Sequence, residues 1–280
     1  MRNDVQKLNL ISLANYNGKT ANLSTPFLAD RIAFMENLAV IILAAGKGVR
    51  MKSDLPKVFH EILGEPMLSY VLGTVKKLQP AKTIVVVGHQ RKLIIDYFRD
   101  WPVEFAVQAE QLGTGHAVMQ AEPKLREFSG QVLVLAGDVP LIQEQTLRRL
   151  IDFHVKNGAA VTDLTAELAD AGSYGRIIRK ENGELIRIIE KKDATPEQLK
   201  IKEFNTGTFC FDKQALFSAL KEVKAENVQK EYYLTDTIEI LKKKDLPVFA
   251  FRADDPSETL GINTRDELVA IEKILLSKNS

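Results

Sequence analysis

Two cations, Arg50 and Lys57, stand just behind the small-residue run Ala44-Ala-Gly-Lys-Gly48, and a carboxylate, Asp138, closes an apolar run further on. A guanidinium and an ammonium beside a glycine turn are groups that hold phosphate oxygens. Gly46 and Gly48 can take positive φ, which lets successive N–H groups point into one concavity and form an anion site. An Asp at the end of a core strand often only caps the next helix. Beside a cationic phosphate turn it suits Mg²⁺, a hard ion that takes oxygen ligands and keeps substrate phosphates as partners. Gln108 and Gln111 flank a loop closed by Gly113 and Thr114, and an amide reads a base edge through its paired donor and acceptor. Together these residues would hold a nucleoside triphosphate and neutralise its charge.

Two familiar phosphate loops do not fit. A Walker turn would place Gly-Lys-Ser/Thr at the position where Met51 stands, and the third glycine of a dinucleotide fingerprint would fall there too. His60, His89, His116 and His154 are scattered without zinc spacing, so structural roles are expected for all of them. Cys210 lies in the apolar run Thr208-Phe-Cys-Phe211 and reads as a buried strand thiol, and Lys191-Lys192 as a solvated pair.

The elements that must position these groups alternate. Ala39 to Leu43 is an unbroken apolar run with β-branched residues in its middle, which predicts a strand covered on both faces. From Pro66, residues Met67, Tyr70, Val71, Thr74, Val75 and Leu78 share one helical stripe. Strands are predicted at Thr83–Gly88, Glu104–Gln108 and Gln131–Asp138, with helices at Lys92–Arg99 and from Gly113. This order predicts a parallel α/β sheet with right-handed crossovers. Ligands of such sheets lie beyond the carboxyl ends of the strands, where the Gly46 turn, Gln108, Gly113-Thr114 and Asp138 all fall.

After about residue 158 the texture changes. Tyr174 to Glu190 predicts a hairpin with a type I′ turn at Asn182-Gly183. Strands follow at Glu203–Phe211 and Val248–Phe251, helices at Lys213–Val223 and Leu234–Lys243. Thr264 and Glu267 form a capping box for a last helix, through about Leu276. We read residues 35–280 as one domain with two lobes, 35–157 and 158–280. Residues 1–34 read as a poorly ordered extension, or as translated sequence upstream of a start at Met35, with a short amphipathic helix over Ser24–Met35. They carry no signal-peptide apolar core.

Composition narrows the function classes. A chain of 280 residues buries about 75% of its unfolded surface. The 38 basic and 37 acidic residues leave a net charge of +1, so no basic footprint for nucleic acid is present. No apolar run reaches the length of a membrane span. A single cysteine fits a reducing, cytoplasmic compartment.

In register along the chain, Leu43-Ala-Ala-Gly-Lys-Gly-Val-Arg-Met51 with Leu55-Pro-Lys-Val58 resembles the signature of sugar-nucleotide pyrophosphorylases. Further motifs are Gln108-Ala-Glu-Gln-Leu-Gly-Thr-Gly-His-Ala117, Tyr174-Gly-Arg-Ile177 and Glu190-Lys-Lys-Asp-Ala-Thr195. Glu203-Phe-Asn-Thr-Gly207, Glu231-Tyr-Tyr-Leu-Thr-Asp236 and Gly261-Ile-Asn-Thr-Arg265 complete the set. Together they resemble the uridylyltransferase domain of the bacterial N-acetylglucosamine-1-phosphate uridylyltransferase family, from Met35 to about Lys278.

The resemblance implies a Rossmann-like nucleotide-diphospho-sugar transferase fold, mostly parallel with helices on both faces, plus a smaller antiparallel sugar-binding lobe. It implies Mg²⁺-dependent uridylyl transfer from UTP to N-acetyl-α-glucosamine 1-phosphate. By position, Leu43, Ala45, Gly46, Gln108, Gly113 and Thr114 would hold the uridine, and Arg50 and Lys57 the phosphates. Asp138 and Asn263 would ligate Mg²⁺, and Gly175, Glu190 and Asn205 would bind the sugar. Two departures are visible: Val49 stands where the family usually has Thr, and Ala136 where Tyr or Ser often precedes Gly-Asp. A β-helix acetyltransferase half is not expected, and a monomer or dimer is expected rather than the β-helix trimer. Another sugar 1-phosphate, a non-catalytic nucleotide-sugar sensor, or an acetyltransferase half on a separate chain stay open as alternatives.

Overall fold

The computed structural model describes residues 37–278; the extension expected over 1–34 and the helix expected over Ser24–Met35 lie outside the described residues. Strand β1 (Leu38–Ala44) is buried at every residue but the partly buried Leu43, as its apolar run predicts. A two-residue hairpin, β2 (Glu61–Ile62) and β3 (Glu65–Pro66), leads into helix α1 (Met67–Leu78), which turns Met67, Val71, Val75 and Leu78 inward. Then come β4 (Lys82–Val87), α2 (Arg91–Phe98), β5 (Glu104–Val107), α3 (Thr114–Met119), β6 (Gln131–Ala136), α4 (Glu144–Lys156) and β7 (Val161–Glu167). The second half supplies β8 (Arg176–Arg179), β9 (Leu185–Ile189), α5 (Pro196–Leu199), β10 (Glu203–Asp212), α6 (Lys213–Leu220), α7 (Asp236–Lys243), β11 (Val248–Arg252) and α8 (Arg265–Lys278).

Among the described residues one nine-stranded sheet runs through both halves, in the order β11-β7-β10-β6-β1-β4-β5, with β8 paired to β10 and β9 to β8. Strands β5, β4, β1 and β6 are parallel, and β10 runs antiparallel between β6 and β7. The chain leaves β1 toward β4 and β5, then returns to β6 on the other side of β1, so the strand order reverses there. That switch point opens a crevice at the carboxyl ends of β1 and β6. Helices α1 and α4 pack together, as do α6 and α7, and the near-complete burial of β1, β4 and β6 follows from cover on both faces. Truncating a central residue such as Ile41, 0% exposed, would cost about 2–5 kcal/mol.

Two expectations are corrected, and two longer elements went unanticipated. The hairpin turn is not type I′: the Gly183 N–H donates to the Lys180 carbonyl (2.9 Å), and only Gly183 of the turn has positive φ (84°). This is a longer loop whose glycine follows a turn centred on Glu181 and Asn182. Gly46 does not adopt positive φ, whereas Gly48 does (64°). Helix α4 and strand β7 were not expected at all. The N-terminus of α4 is capped from far away in sequence: Glu258 accepts from the Gln143 N–H (3.0 Å) and the Thr146 hydroxyl (2.9 Å). Strand β7 buries Thr162, Asp163 and Thr165, so it carries no apolar run to find. The capping box at α8 is present, with Thr264 Oγ1 accepting from the Glu267 N–H (3.2 Å) and Glu267 from the Thr264 N–H (3.0 Å).

Candidate active site

A cavity of about 430 Å³ lies at the switch point, lined by Leu43, Ala45, Gly46, Gln108, Gly113 and Thr114 together with Lys57 and Asp138. All six residues expected to hold the nucleotide therefore line one cavity. Gly48 is what lets the turn close over the cation. Its φ is 64°, and a Cβ there would come within 2.7 Å of the Lys57 Cβ. Gly113 takes φ 112° where a Cβ would sit 2.5 Å from the Tyr232 carbonyl oxygen, so the 112–115 loop lies directly against the 232–234 segment.

The polar centre is a four-residue knot. Lys57 Nζ pairs with the Asp138 carboxylate and donates to Asn263 Oδ1 at 2.6 Å. Arg50 Nη2 donates to the same Asn263 oxygen at 2.7 Å. Asp138 is placed by the end of β6, where the Gly137 N–H donates to the Leu43 carbonyl of β1 (2.9 Å). Asn263 arrives from the far end of the chain. The Ile262 N–H donates to the Asp138 carbonyl (2.9 Å), and Glu267 accepts from the Asn263 N–H (2.5 Å).

The donor set fits a hard divalent ion. One carboxylate and one amide oxygen converge on a single cation, the Lys57 ammonium, so two oxygen ligands already point at one place. Among the described residues no group of three or more His, Cys, Asp and Glu side chains could form a closed metal site. Mg²⁺ is suited to such an open pair, because it keeps waters and phosphates as its remaining ligands.

The residues expected on the sugar side are brought together, but beside the cavity rather than in its wall. The Asn205 N–H donates to the Gly175 carbonyl (3.0 Å), and a Cβ on Gly175 would lie 3.5 Å from Glu190 Oε2. Asn205 sits at an irregularity of β10, and Gly207 beyond it approaches Ala136, which lines the cavity. Glu190 accepts from the Thr235 hydroxyl (3.1 Å) and lines a separate, acidic cleft of about 610 Å³. Burial pushes its carboxyl above the usual range, with Asp236, Asp193 and Glu231 adding repulsion.

Sequence reasoning passed over the side chains that hold this constellation. Tyr174 Oη accepts from the Gly261 N–H (2.8 Å) and so ties the hairpin to the Asn263 segment. Arg265 donates to the carbonyls of Met51 (3.2 Å) and Lys52 (3.4 Å), closing the turn that carries Arg50. Both lie inside motifs visible in the sequence, yet their partners are remote and left no local signal. Both departures line the cavity, Val49 at its exposed edge (81% exposed) and Ala136 deeper. Cys210 is fully buried, as expected, and burial pushes its thiol pKa up.

A glycine turn facing a carboxylate across the switch point of a mostly parallel sheet defines a nucleotide-binding α/β protein. Residues 39–256 match the nucleotidyl transferase family, and the chain belongs to that family. It is 51% identical over 241 residues to the bifunctional protein GlmU of Streptococcus mutans serotype c, covering 86% of this chain and 52% of that protein. The bifunctional protein GlmU of Streptococcus agalactiae serotype V is 49% identical over the same shares. The chain thus spans about half the length of these relatives. A solved UDP-glucose pyrophosphorylase complexed with UDP-glucose shares the fold, with a TM-score of 0.69 over 86% of this chain and 98% of that one, at 18% identity. Among the described residues no helix is long and apolar enough to cross a membrane.

Proposed function

We propose that this chain transfers UMP from UTP to N-acetyl-α-glucosamine 1-phosphate, giving UDP-N-acetylglucosamine and pyrophosphate. The observation that carries the reading is the convergence of Lys57, Asp138, Asn263 and Arg50 at the mouth of a cavity walled by the glycine turn. The relatives, about half identical over this region, support the choice of nucleotide and sugar.

The chemistry asks little of the protein beyond position and charge. A phosphate oxygen of the sugar phosphate attacks the α-phosphorus of UTP, the bond to the bridging oxygen breaks, and pyrophosphate leaves with the electron pair. The nucleophile is already an anion, so no general base is needed. Two polyanions must be brought in line against their repulsion, which is a task for positioning and charge neutralisation. Arg50 and Lys57 would exchange their present contact with Asn263 for phosphate oxygens. Mg²⁺ held by Asp138 and Asn263 would supply further neutralisation of the reacting phosphates. Gln108, Gly113 and Thr114 would seat the uridine, and Gly175, Glu190 and Asn205 the sugar hydroxyls and N-acetyl group. In this reading residues 35–157 form the nucleotide-binding lobe, 158–280 the sugar-binding lobe, and the setting is cytoplasmic.

Pyrophosphate release, measured over a panel of nucleoside triphosphates and sugar 1-phosphates with Mg²⁺ and with EDTA, tests the proposal. UTP with N-acetylglucosamine 1-phosphate and Mg²⁺ is expected to lead the panel. A clear preference for another pair, or undiminished release in EDTA, would overturn it.

A further inference from the structure

Gln108 stands just past the end of β5 and is 3% exposed. Its Nε2 lies 3.0 Å from the Gly113 carbonyl oxygen and 3.1 Å from Nδ1 of His116. A carbonyl oxygen only accepts, so the amide atom facing Gly113 is the nitrogen; turning the amide over would set two oxygens against each other. The second hydrogen on Nε2 then goes to His116 Nδ1, which accepts it when the ring carries its proton on Nε2. Both amide hydrogens are thereby used within the protein. What Gln108 keeps for a ligand, in a side chain that lines the cavity, is the acceptor Oε1.

We infer that His116 is a positioning residue that makes this cavity choose uracil over cytosine, by holding Gln108 as an acceptor. The inference rests on the uridylyl reading and names what enforces it. The N3 of uracil carries a hydrogen and donates to Oε1. The N3 of cytosine is an acceptor and would face Oε1 lone pair to lone pair. A site that hydrogen-bonds a substrate N–H rejects an analogue lacking it far more strongly than an apolar pocket does.

The ring is well placed for this. The Gly115 N–H donates to the Tyr232 carbonyl (2.7 Å), the Tyr232 N–H to the Leu112 carbonyl (2.8 Å), and the Leu234 N–H to Thr114 Oγ1 (3.0 Å), so the loop leading to His116 is pinned on both sides. Gln120 Nε2 meets the far ring nitrogen at 3.2 Å. Gln120 Nε2 also donates to the His116 carbonyl (3.1 Å). The half-buried Gln120 amide gives up that bond when it turns its oxygen toward the ring Nε2 hydrogen, whereas Gln108, 3% exposed, keeps its bond to the Gly113 carbonyl.

Two measurements test the role. In His116→Phe, which keeps a ring and loses the acceptor, the kcat/KM preference for UTP over CTP should fall about tenfold or more. Most of that fall should appear in the KM for UTP, with its kcat changed less than about threefold. A merely structural residue would lower both nucleotides alike, and an unchanged UTP/CTP ratio would overturn the inference. In the unsubstituted protein, ¹⁵N NMR should find Nδ1 of His116 unprotonated at neutral pH. A proton on Nδ1 would equally overturn it, whether or not the variant folds. Failure of the unsubstituted protein to release pyrophosphate from UTP would defeat the uridylyl reading, and the NMR result would still decide the contact.

Discussion

Two carboxylates of the same sheet have opposite surroundings. Asp138, at the end of β6, meets the Lys57 ammonium beside the Asn263 amide at the rim of a cavity. Asp163, in the middle of β7, is 0% exposed, neither of its oxygens has a hydrogen-bond partner among the described residues, and its register neighbours are Phe209 and Ala250. Burial pushes the Asp163 carboxyl well above the usual range; Glu203 and Glu190 add to the rise and Arg179 opposes it. A strand end offers counter-charges and room for a ligand, so an acid there is paired and can work. The sheet interior offers neither, so an acid there holds its proton and lowers stability.

Breaking the partnered acid should have the largest effect. Asp138→Ala should cost about 10³-fold or more in pyrophosphate release, and Lys57→Ala about 10²–10³-fold, in a steady-state assay. Normal turnover in either variant would remove that residue from the proposed chemistry. The unpartnered acid should behave in the opposite way. Asp163→Leu is expected to stabilise the fold by about 1–3 kcal/mol in urea denaturation at neutral pH, because it removes an unsatisfied buried group.

The sign of its pH dependence follows. The folded state keeps a proton that the unfolded chain releases above the ordinary carboxylate range, so this contribution to stability falls as pH rises from there toward the folded pKa. Asp163→Leu should flatten that fall. His154 is an intermediate case, a buried group whose ring contacts Thr162 Oγ1 (3.0 Å) and Gln131 Oε1 (2.8 Å). Burial lowers its pKa to about 4, so its contribution is lost as pH falls from about 6.5 to about 4. The loss amounts to roughly 3 kcal/mol at most, readable in urea midpoints across that range.

The same contrast explains what the sequence could show. Strand β1, the glycine turn and the strand-end position of Asp138 were legible, because an apolar run, small residues and a single polar break are local signals. The capping box of α8 was legible for the same reason. Strand β7 was not, since its buried Thr162, Asp163 and Thr165 erase the apolar pattern. Helix α4 lacked a local start signal because its cap, Glu258, lies 115 residues beyond Gln143. At the site, residue type and position pointed to Lys57 and Asp138, and Asn263 entered only through the family resemblance. That Lys57 would lie on both oxygens at once depends on a contact across 206 residues. His116 looked ordinary until the fold set its ring against Gln108.

In the proposed reaction the Asp138 and Asn263 oxygens form one cation site beside the Lys57 ammonium. Mn²⁺ binding in the presence of UTP, followed by the loss of free-ion EPR signal, tests it most directly. Affinity should drop about tenfold or more in Asp138→Ala and in Asn263→Ala, while urea midpoints stay near those of the unsubstituted protein. Unchanged Mn²⁺ affinity in both variants would contradict the account.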